Sequence, residues 1–411
     1  MERRRVVVTG YGVVGPVGNN SVDFWNNIKA GVSGIDRITH FDLKDHTSTM
    51  AAEVKNFEYP DKRAAKALDP TSQFALVAAK EALEMSGLAP DENIDSFELG
   101  VYGSTGIGGI GTIEEQAFNA FNKGIKRVSP HMVTKSIPNM VSGNLSIELG
   151  ARGSSFGLNS ACATGTHTIG EAFRSIRDGY QTAVIAGSTE APIVNIPFAG
   201  FEKIRALSKV DDKDRCCMPF DRNRSGFVMG EGAAFLILEE MEHAKERGAE
   251  IYAEVVGYGS ASDAYHITMP DPEGKGDIRA MQLALKDAGL DPSEISYINA
   301  HGTGTLYNDK IETMAIKEVF GQHAYEMPVS STKGMTGHSL GAIGSIEGMI
   351  CVKCLEEGFV PATVGLEEPD EGLDLDYVPG KGREMELEYV LSNSLGFGGH
   401  NAALIFRKWH A

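Results

Sequence analysis

Two kinds of segment alternate along the whole chain, short apolar runs and longer stretches of mixed polarity. Buried strands are predicted at four of the runs, which lie at residues 6–8, 233–238, 295–298 and 402–406. The stretches between such runs carry apolar residues at helical spacing, as at residues 168–173. Repeated alternation of this kind predicts an α/β protein with a largely parallel sheet.

Three short patterns recur in the same order in the two parts of the chain. Residues 8–12 (VTGYG), 159–162 (NSAC) and 233–238 (AAFLIL) match residues 256–259 (VGYG), 298–301 (INAH) and 402–406 (AALIF). The repetition predicts a duplicated fold, with one half at residues 1–250 and the other at residues 251–411. The charged, helix-like segment 239–248 is the expected connection between them.

Composition and charge narrow the class of protein. The chain has 411 residues, 42% of them hydrophobic, which is enough to bury a large core. It lacks both the roughly 18 consecutive apolar residues of a membrane span and the cleavage pattern of a signal peptide. Five cysteines fit a reducing compartment better than a disulfide framework, so we expect a cytoplasmic protein. The formal charge of −18 argues against nucleic acids and membranes as partners.

The sequence around Cys162 predicts a nucleophile. Residues 159–167 (NSACATGTH) have the pattern of a strand end, a sharp turn of small residues and the start of a helix. Free N–H groups and the helix dipole at such a position favour a thiolate, so we expect a lowered pKa and an exposed sulfur. A lone cysteine is more often buried and inert. Two histidine motifs further along the chain favour the nucleophile instead.

Both histidine motifs lie in glycine-rich loops just after predicted strands. His301 belongs to residues 299–305 (NAHGTGT), and His338 ends residues 330–338 (SSTKGMTGH). The loops that follow strands are where α/β proteins usually place their reacting groups. A cysteine and two histidines in equivalent places predict acyl transfer at a thiolate.

The remaining cysteines give no such signal. Cys351 and Cys354 have CxxC spacing, but they lie in a helix-like stretch without a second pair of ligands. Cys216 and Cys217 are adjacent and cannot easily bond to each other. We therefore expect no metal site.

With these motifs in place, the chain resembles the β-ketoacyl-[acyl carrier protein] synthases of the Cys-His-His type, closest to the synthase II branch of bacterial fatty acid synthesis. The resemblance also includes residues 5–12 (RVVVTGYG), 106–109 (GIGG), 221–232 (DRNRSGFVMGEG), 262–266 (SDAYH) and 392–401 (SNSLGFGGHN). It implies a duplicated thiolase-like fold of five layers, αβαβα, with two mixed, largely parallel sheets. It also implies a homodimer without a cofactor, whose substrates arrive on the phosphopantetheine of an acyl carrier protein.

The same resemblance implies roles for individual residues in a decarboxylative condensation. Cys162 accepts an acyl group, and its own N–H and that of Phe397 bind the developing oxyanion. His301 and His338 hydrogen-bond the thioester oxygen of a malonyl unit and stabilise the enolate that forms as carbon dioxide leaves. Lys333 holds the second histidine loop in place.

Further residues have supporting roles by the same resemblance. Glu347 and Asp309 are implied as supporting carboxylates behind the reacting groups. Thr303 and Thr305 are implied to bind the pantetheine amides.

Ile107 and Phe201 match positions that line the acyl pocket of the family. Leu395 stands where many relatives carry phenylalanine, and His400 where some carry threonine. These two departures bear on loop gating and acyl preference, not on the chemistry.

An acidic chain that meets an acidic carrier protein needs a local basic patch. The candidates are Lys62, Arg63, Lys66, Lys126, Arg127 and Arg205. The alternative for each is an ordinary solvated charge.

Related enzymes give rival interpretations. A thiolase has a second cysteine near its C-terminus, and residues 396–401 contain none. A Cys-His-Asn synthase has asparagine in place of His338, and a non-catalytic partner of a polyketide synthase lacks the nucleophile that Cys162 supplies. A catalytic polyketide ketosynthase stays open, because Gly304 is common there too.

Overall fold

A computed structural model describes residues 3–410, which form fifteen strands and twelve α-helices. The strands are β1 Val6–Val14, β2 Asp36–Arg37, β3 Met50–Ala52, β4 Leu99–Ser104, β5 Ser155–Phe156, β6 Ala183–Glu190, β7 Met229–Gly230, β8 Gly232–Glu240, β9 Ala253–Ser262, β10 Ile295–Asn299, β11 Val329–Ser330, β12 Phe359–Val360, β13 Arg383–Glu384, β14 Tyr389–Gly396 and β15 His400–Lys408. The helices are α1 Ser21–Lys29, α2 Pro70–Ser86, α3 Ile110–Lys123, α4 Met132–Ser136, α5 Met140–Leu149, α6 Thr164–Arg177, α7 Asn195–Lys203, α8 Met241–Glu246, α9 Lys275–Ala288, α10 Leu306–Phe320, α11 Lys333–Thr336 and α12 Ile343–Glu357.

Ten strands form one mixed sheet in the order β11-β10-β14-β15-β9-β1-β8-β6-β4-β5. Only three residue pairs, at residues 6–8, join β1 to β9, so the sheet divides there into two wings of five strands. Counted outward from this junction, each wing has two antiparallel pairings followed by two parallel ones. The two wings therefore repeat one topology, in which β1 corresponds to β9 and β8 to β15.

This topology modifies two of the sequence predictions. The mixed sheet is confirmed, but its parallel pairings are confined to the outer end of each wing, because β8 and β15 run antiparallel to both neighbours. The match between residues 159–162 and 298–301 is wrong as a repeat. Residues 159–162 follow β5, the outermost strand of the first wing. Residues 298–301 include the end of β10, which is the second strand from the edge of the other wing. Loops after parallel strands favour small residues in both wings, which accounts for the similarity.

Close packing of a helix on a strand explains the repeated glycines of the first pattern. A Cβ added to Gly12 of β1 would lie 2.1 Å from the carbonyl oxygen of Ala78 in α2. One added to Gly259 of β9 would lie 1.9 Å from the carbonyl oxygen of Ala280 in α9. Each wing thus needs glycine where its outer helix crosses its first strand.

The helices complete five layers. α6 and α12 lie between the wings, and every residue from 343 to 355 of α12 is buried. α2 and α5 cover the outer face of the first wing, and α9 covers that of the second. The predicted αβαβα arrangement is confirmed. No helix within residues 3–410 is both long and apolar enough to cross a membrane.

Candidate active site

Two adjoining cavities bring most of the predicted site residues together. The main cavity, of about 410 Å³, is lined among others by Cys162, Phe201, Arg205, His301, Thr303, Thr305, His338, Leu395 and Phe397. A second cavity, of about 400 Å³, is lined among others by Ile107, Cys162, Phe201, Leu340 and Phe397. Cys162 borders both cavities and therefore lies where they meet.

The turn around Cys162 has the predicted form. Residues 161–163 form a single 3₁₀ turn before α6, and Ala161 has φ of 51°, a left-handed conformation that costs strain in a residue other than glycine. Gly396, at the end of β14, packs against this turn, and an added Cβ would lie 2.6 Å from the carbonyl oxygen of Ser160. Because Gly396 has no side chain, the loop that carries Phe397 can pack close to the Cys162 turn.

The protonation state of Cys162 differs from the sequence prediction. Its side chain is buried, with 7% of the residue exposed, and burial raises the pKa of the thiol to about 12. The charge of Lys333 and the backbone N–H groups of Phe397 and Cys162 lower the pKa, but they do not offset the burial. In the free protein the sulfur is therefore a thiol, and the two N–H groups that face it are in place to bind an oxyanion.

The two histidines form a buried pair. The ring centroids of His301 and His338 lie 5.2 Å apart at an interplanar angle of 86°. Each Nδ1 atom is buried without a hydrogen-bond partner among residues 3–410. An unpaired buried N–H costs more than an unpaired lone pair, so we assign the proton of each neutral ring to Nε2. Both rings line the main cavity and present a donor there.

Electrostatics keep both rings neutral. Burial, followed by the charge of Lys333, lowers the pKa of His338 well below its ordinary value. The same two causes, together with the neighbouring ring of His338, lower the pKa of His301. A neutral pair of N–H donors suits a ligand oxygen on which negative charge develops.

Protonation of the two histidines can be followed directly by NMR of ring-labelled protein. We expect neither His301 nor His338 to take up a proton from about pH 8 to about pH 6, where an ordinary histidine of pKa about 6.5 titrates. Spectra of the His301→Ala and His338→Ala variants assign the two signals. A protonation step of either ring in this range would contradict the neutral pair.

Lys333 connects the two histidine loops. It is fully buried at the start of α11, where its Nζ donates to the carbonyl oxygen of His301 and, at 2.5 Å, to Oε1 of Glu347. Burial raises the pKa of the Glu347 carboxyl to about 7, although Lys333 lowers it. The lysine was predicted to hold its own loop, which ends at His338. Its contacts show that it also ties this loop to that of His301.

Two further carboxylates hold the His301 loop. Glu312 of α10 accepts from the backbone N–H of His301 at 2.7 Å and of Gly302 at 2.8 Å. Asp309, a predicted supporting carboxylate, is fully buried and accepts from the N–H of Gly304 at 3.2 Å. The hydroxyl oxygens of the cavity-lining Thr303 and Thr305 lie 2.9 Å apart. Glu312 was not predicted from the sequence. The one feature that could have indicated it is its place one helical turn after Asp309 on the same helix.

The predicted docking residues are exposed. Five of the six have no ion pair among residues 3–410, namely Arg63, Lys66, Lys126, Arg127 and Arg205. Lys62 lies 3.7 Å from Glu58. Arg205 also lines the main cavity, which puts a positive charge at its entrance.

Comparison with known families settles the family of the chain. The family model "Beta-ketoacyl synthase, N-terminal domain" matches residues 3–244, and "Beta-ketoacyl synthase, C-terminal domain" matches residues 252–367. The chain belongs to the beta-ketoacyl synthase family. The resemblance inferred from the sequence, and with it an acyltransferase-type condensing enzyme, is confirmed.

Individual beta-ketoacyl synthases match over the whole chain. The 3-oxoacyl-[acyl-carrier-protein] synthase 2 of Staphylococcus aureus (strain COL) is 47% identical over 413 residues and covers 100% of both chains. The protein of the same name from Synechocystis sp. is 48% identical over 413 residues, 100% of this chain and 99% of that one. A solved ketosynthase in complex with its type II polyketide acyl carrier protein has a TM-score of 0.91 at 34% identity, and 100% of both chains are covered.

Proposed function

We propose that this beta-ketoacyl synthase condenses malonyl-[acyl carrier protein] with an acyl chain bound to Cys162. The product is 3-oxoacyl-[acyl carrier protein], and the reaction is the elongation step of fatty acid biosynthesis. The observation that carries the proposal is the single cavity shared by a thiol, two neutral imidazoles and two backbone N–H groups. Relatives named 3-oxoacyl-[acyl-carrier-protein] synthase 2, nearly half identical over the full length, support it.

Acyl transfer to Cys162 is the first half-reaction. The sulfur attacks the thioester carbonyl of the acyl carrier, and the N–H groups of Cys162 and Phe397 bind the oxygen of the tetrahedral intermediate. The phosphopantetheine thiol leaves with the proton that the cysteine thiol loses. The acyl chain extends into the second cavity, whose wall includes Ile107 and Phe201. Its lining is mostly apolar, as an alkyl chain requires.

Decarboxylation and condensation form the second half-reaction. The malonyl thioester enters the main cavity, where Thr303 and Thr305 bind the pantetheine amides. Nε2–H of His301 and of His338 donate to the thioester oxygen as carbon dioxide leaves and the enolate forms. The enolate carbon attacks the acyl carbonyl, and the Cys162 sulfur departs as the leaving group. These groups supply all of the chemistry, so we infer that no cofactor takes part.

The carrier protein docks, on this proposal, at the exposed basic residues. Their positive side chains offset locally the overall charge of −18. The solved ketosynthase–carrier complex of the same fold supports a carrier partner.

Reversing the charge of Arg63 and Lys66 together should raise KM for carrier-bound substrate about tenfold, on the scale of losing two surface contacts. A small thioester analogue should react as before, because neither side chain lines a cavity. Added salt should raise the KM of the wild type for carrier-bound substrate towards that of the variant, because salt screens attraction between surface charges. The matched control reverses the exposed Lys286 and Lys381. Equal losses on both substrates would show that Arg63 and Lys66 serve folding or chemistry instead.

We also propose a homodimer in the cytoplasm. An apolar face extends over neighbouring elements from α3 to β5, whose edge at the end of the sheet has no strand partner beyond it among residues 3–410. Its exposed side chains are Phe118, Phe121, Ile125, Val133, Ile147 and Phe156. A second copy would cover this face.

The division into halves at residues 1–250 and 251–411 stays a prediction, which the repeated wing topology supports.

A polyketide ketosynthase is the second candidate, because the solved complex of 34% identity is a polyketide enzyme. The higher identity to the synthases of the fatty acid type favours elongation. Incubation with malonyl and acyl carriers, in the absence of reductase, separates the two. Fatty acid elongation predicts one condensation and a single 3-oxoacyl product. Repeated condensation to a poly-β-keto chain would establish the polyketide function instead.

A further inference from the structure

A fully buried carboxylate beside Cys162 has no role in the chemistry proposed above. Glu190 is the last residue of β6, and none of its surface is exposed. Its charge is close enough to Cys162 to raise the pKa of the thiol. A buried charge is costly unless hydrogen bonds compensate it, so the contacts of Glu190 indicate its purpose.

Four neutral donors from two separate segments converge on this carboxylate. Oε1 accepts from the hydroxyl of Thr105 at 2.8 Å and from the N–H of Ile107 at 3.1 Å. Oε2 accepts from the N–H of Gly106 at 2.8 Å and from that of Gly341 at 2.9 Å. Residues 105–107 follow β4 of the first wing, whereas Gly341 belongs to the C-terminal part of the chain. Glu190 thus joins segments more than 200 residues apart.

Both joined segments border the reacting groups. Gly106, Ile107 and Gly341 line the second cavity together with Cys162. Gly341 comes three residues after His338 in the chain. A Cβ added to Gly106 would lie 2.5 Å from Oε2 of Glu190, and one added to Gly341 2.6 Å from it. Glycine at both positions therefore lets the carboxylate reach the two N–H groups.

We propose that Glu190 is a positioning residue that sets acyl-chain selectivity by tying the Ile107 wall of the second cavity to the loop after His338. The inference rests on the proposed function, because it assigns the acyl chain to that cavity. Glu190 touches no substrate. It acts by fixing the distance between the wall that meets the acyl chain and the segment that carries a decarboxylation donor.

Only an ionised carboxylate satisfies all four donors, and these hydrogen bonds lower the pKa of Glu190 against the burial that raises it to about 7. A glutamine side chain has one oxygen and one NH₂ group, and in either orientation the NH₂ group faces two donors. Glu190→Gln therefore frees either Thr105 and Ile107 or Gly106 and Gly341. In the first case the Ile107 wall loses its own hydrogen bonds to residue 190, and in the second the loop after His338 is released. Either orientation weakens the connection between the two segments.

The test measures kcat/KM for condensation with saturated acyl carriers of increasing length. In Glu190→Gln we expect the ratio of kcat/KM between the preferred chain and longer chains to fall about tenfold or more, because two buried hydrogen bonds are lost and one alone can be worth about tenfold. Thr105→Val removes one donor from an intact carboxylate and should shift the ratio in the same direction by less. The melting temperature of Glu190→Gln shows whether that variant folds. If it does not fold, Thr105→Val still tests the proposal.

Two matched controls isolate the length dependence. Thr105→Ser keeps the hydroxyl, and Glu231→Gln alters another buried glutamate, which accepts from the N–H of Val54 and lines neither reaction cavity. Both should keep the wild-type length profile. An unchanged profile in folded Glu190→Gln or Thr105→Val, with an active wild type, would overturn the role of Glu190. A wild type that condenses no chain would instead overturn the proposed function.

Discussion

Cys162→Ala should abolish condensation, with a fall in kcat of at least about a thousandfold, because the variant has no nucleophile to carry the acyl group. The other four cysteines, Cys216, Cys217, Cys351 and Cys354, are buried and line neither cavity. None of them can substitute. Turnover is measured with purified acyl and malonyl carriers, and the matched control is Cys354→Ala, which removes a thiol from α12 and should retain activity.

A second variant at the same position separates the two half-reactions. Cys162→Gln removes the thiol but leaves His301 and His338 in place, so malonyl decarboxylation should continue without condensation. Near-normal condensation by either Cys162 variant would refute the assignment of the nucleophile.

Replacing either His301 or His338 by alanine should slow malonyl decarboxylation by about a hundredfold or more, the scale of losing one oxyanion donor. Transfer of the acyl group to Cys162 should fall much less, because the N–H groups of Cys162 and Phe397 serve that step. Release of labelled carbon dioxide reports the first quantity, and trapping of labelled acyl-enzyme reports the second.

The exposed His131 supplies the control for these variants. It lines neither cavity, and His131→Ala should leave both half-reactions unchanged. Normal carbon dioxide release by both His301→Ala and His338→Ala would exclude the two-histidine mechanism. A loss of acyl transfer as large as that of decarboxylation would show that the histidines also serve Cys162.

Local patterns in the sequence predicted the elements that carry the site. The turn at Cys162 and the loops at His301 and His338 lie where short-range signals put them, because small residues and strand ends are encoded locally. The glycines of the first repeated pattern could also be recognised in the sequence, and the structure places each of them where a strand packs closely against a helix. The resemblance added the roles of these residues.

Burial and long-range contacts could not be predicted in the same way. The pKa of Cys162 was expected to be low, but its direction depends on desolvation by residues far away in the chain. Lys333 had the pattern of a lysine in a turn, and only the folded protein brings its Nζ to Glu347 and to the carbonyl oxygen of His301. Glu190 went unnoticed because its four donors come from two distant segments.

The central claim is that Cys162 and the histidine pair together perform a decarboxylative condensation. The most direct measurement mixes purified protein, acyl carrier and malonyl carrier labelled with ¹⁴C in its free carboxyl group. Labelled carbon dioxide is counted, and the unlabelled 3-oxoacyl product is quantified by mass spectrometry in the same sample. The account predicts equal amounts of both in the wild type and carbon dioxide alone in Cys162→Gln. A 3-oxoacyl product from Cys162→Gln, or none from the wild type with a competent acyl carrier, would contradict it.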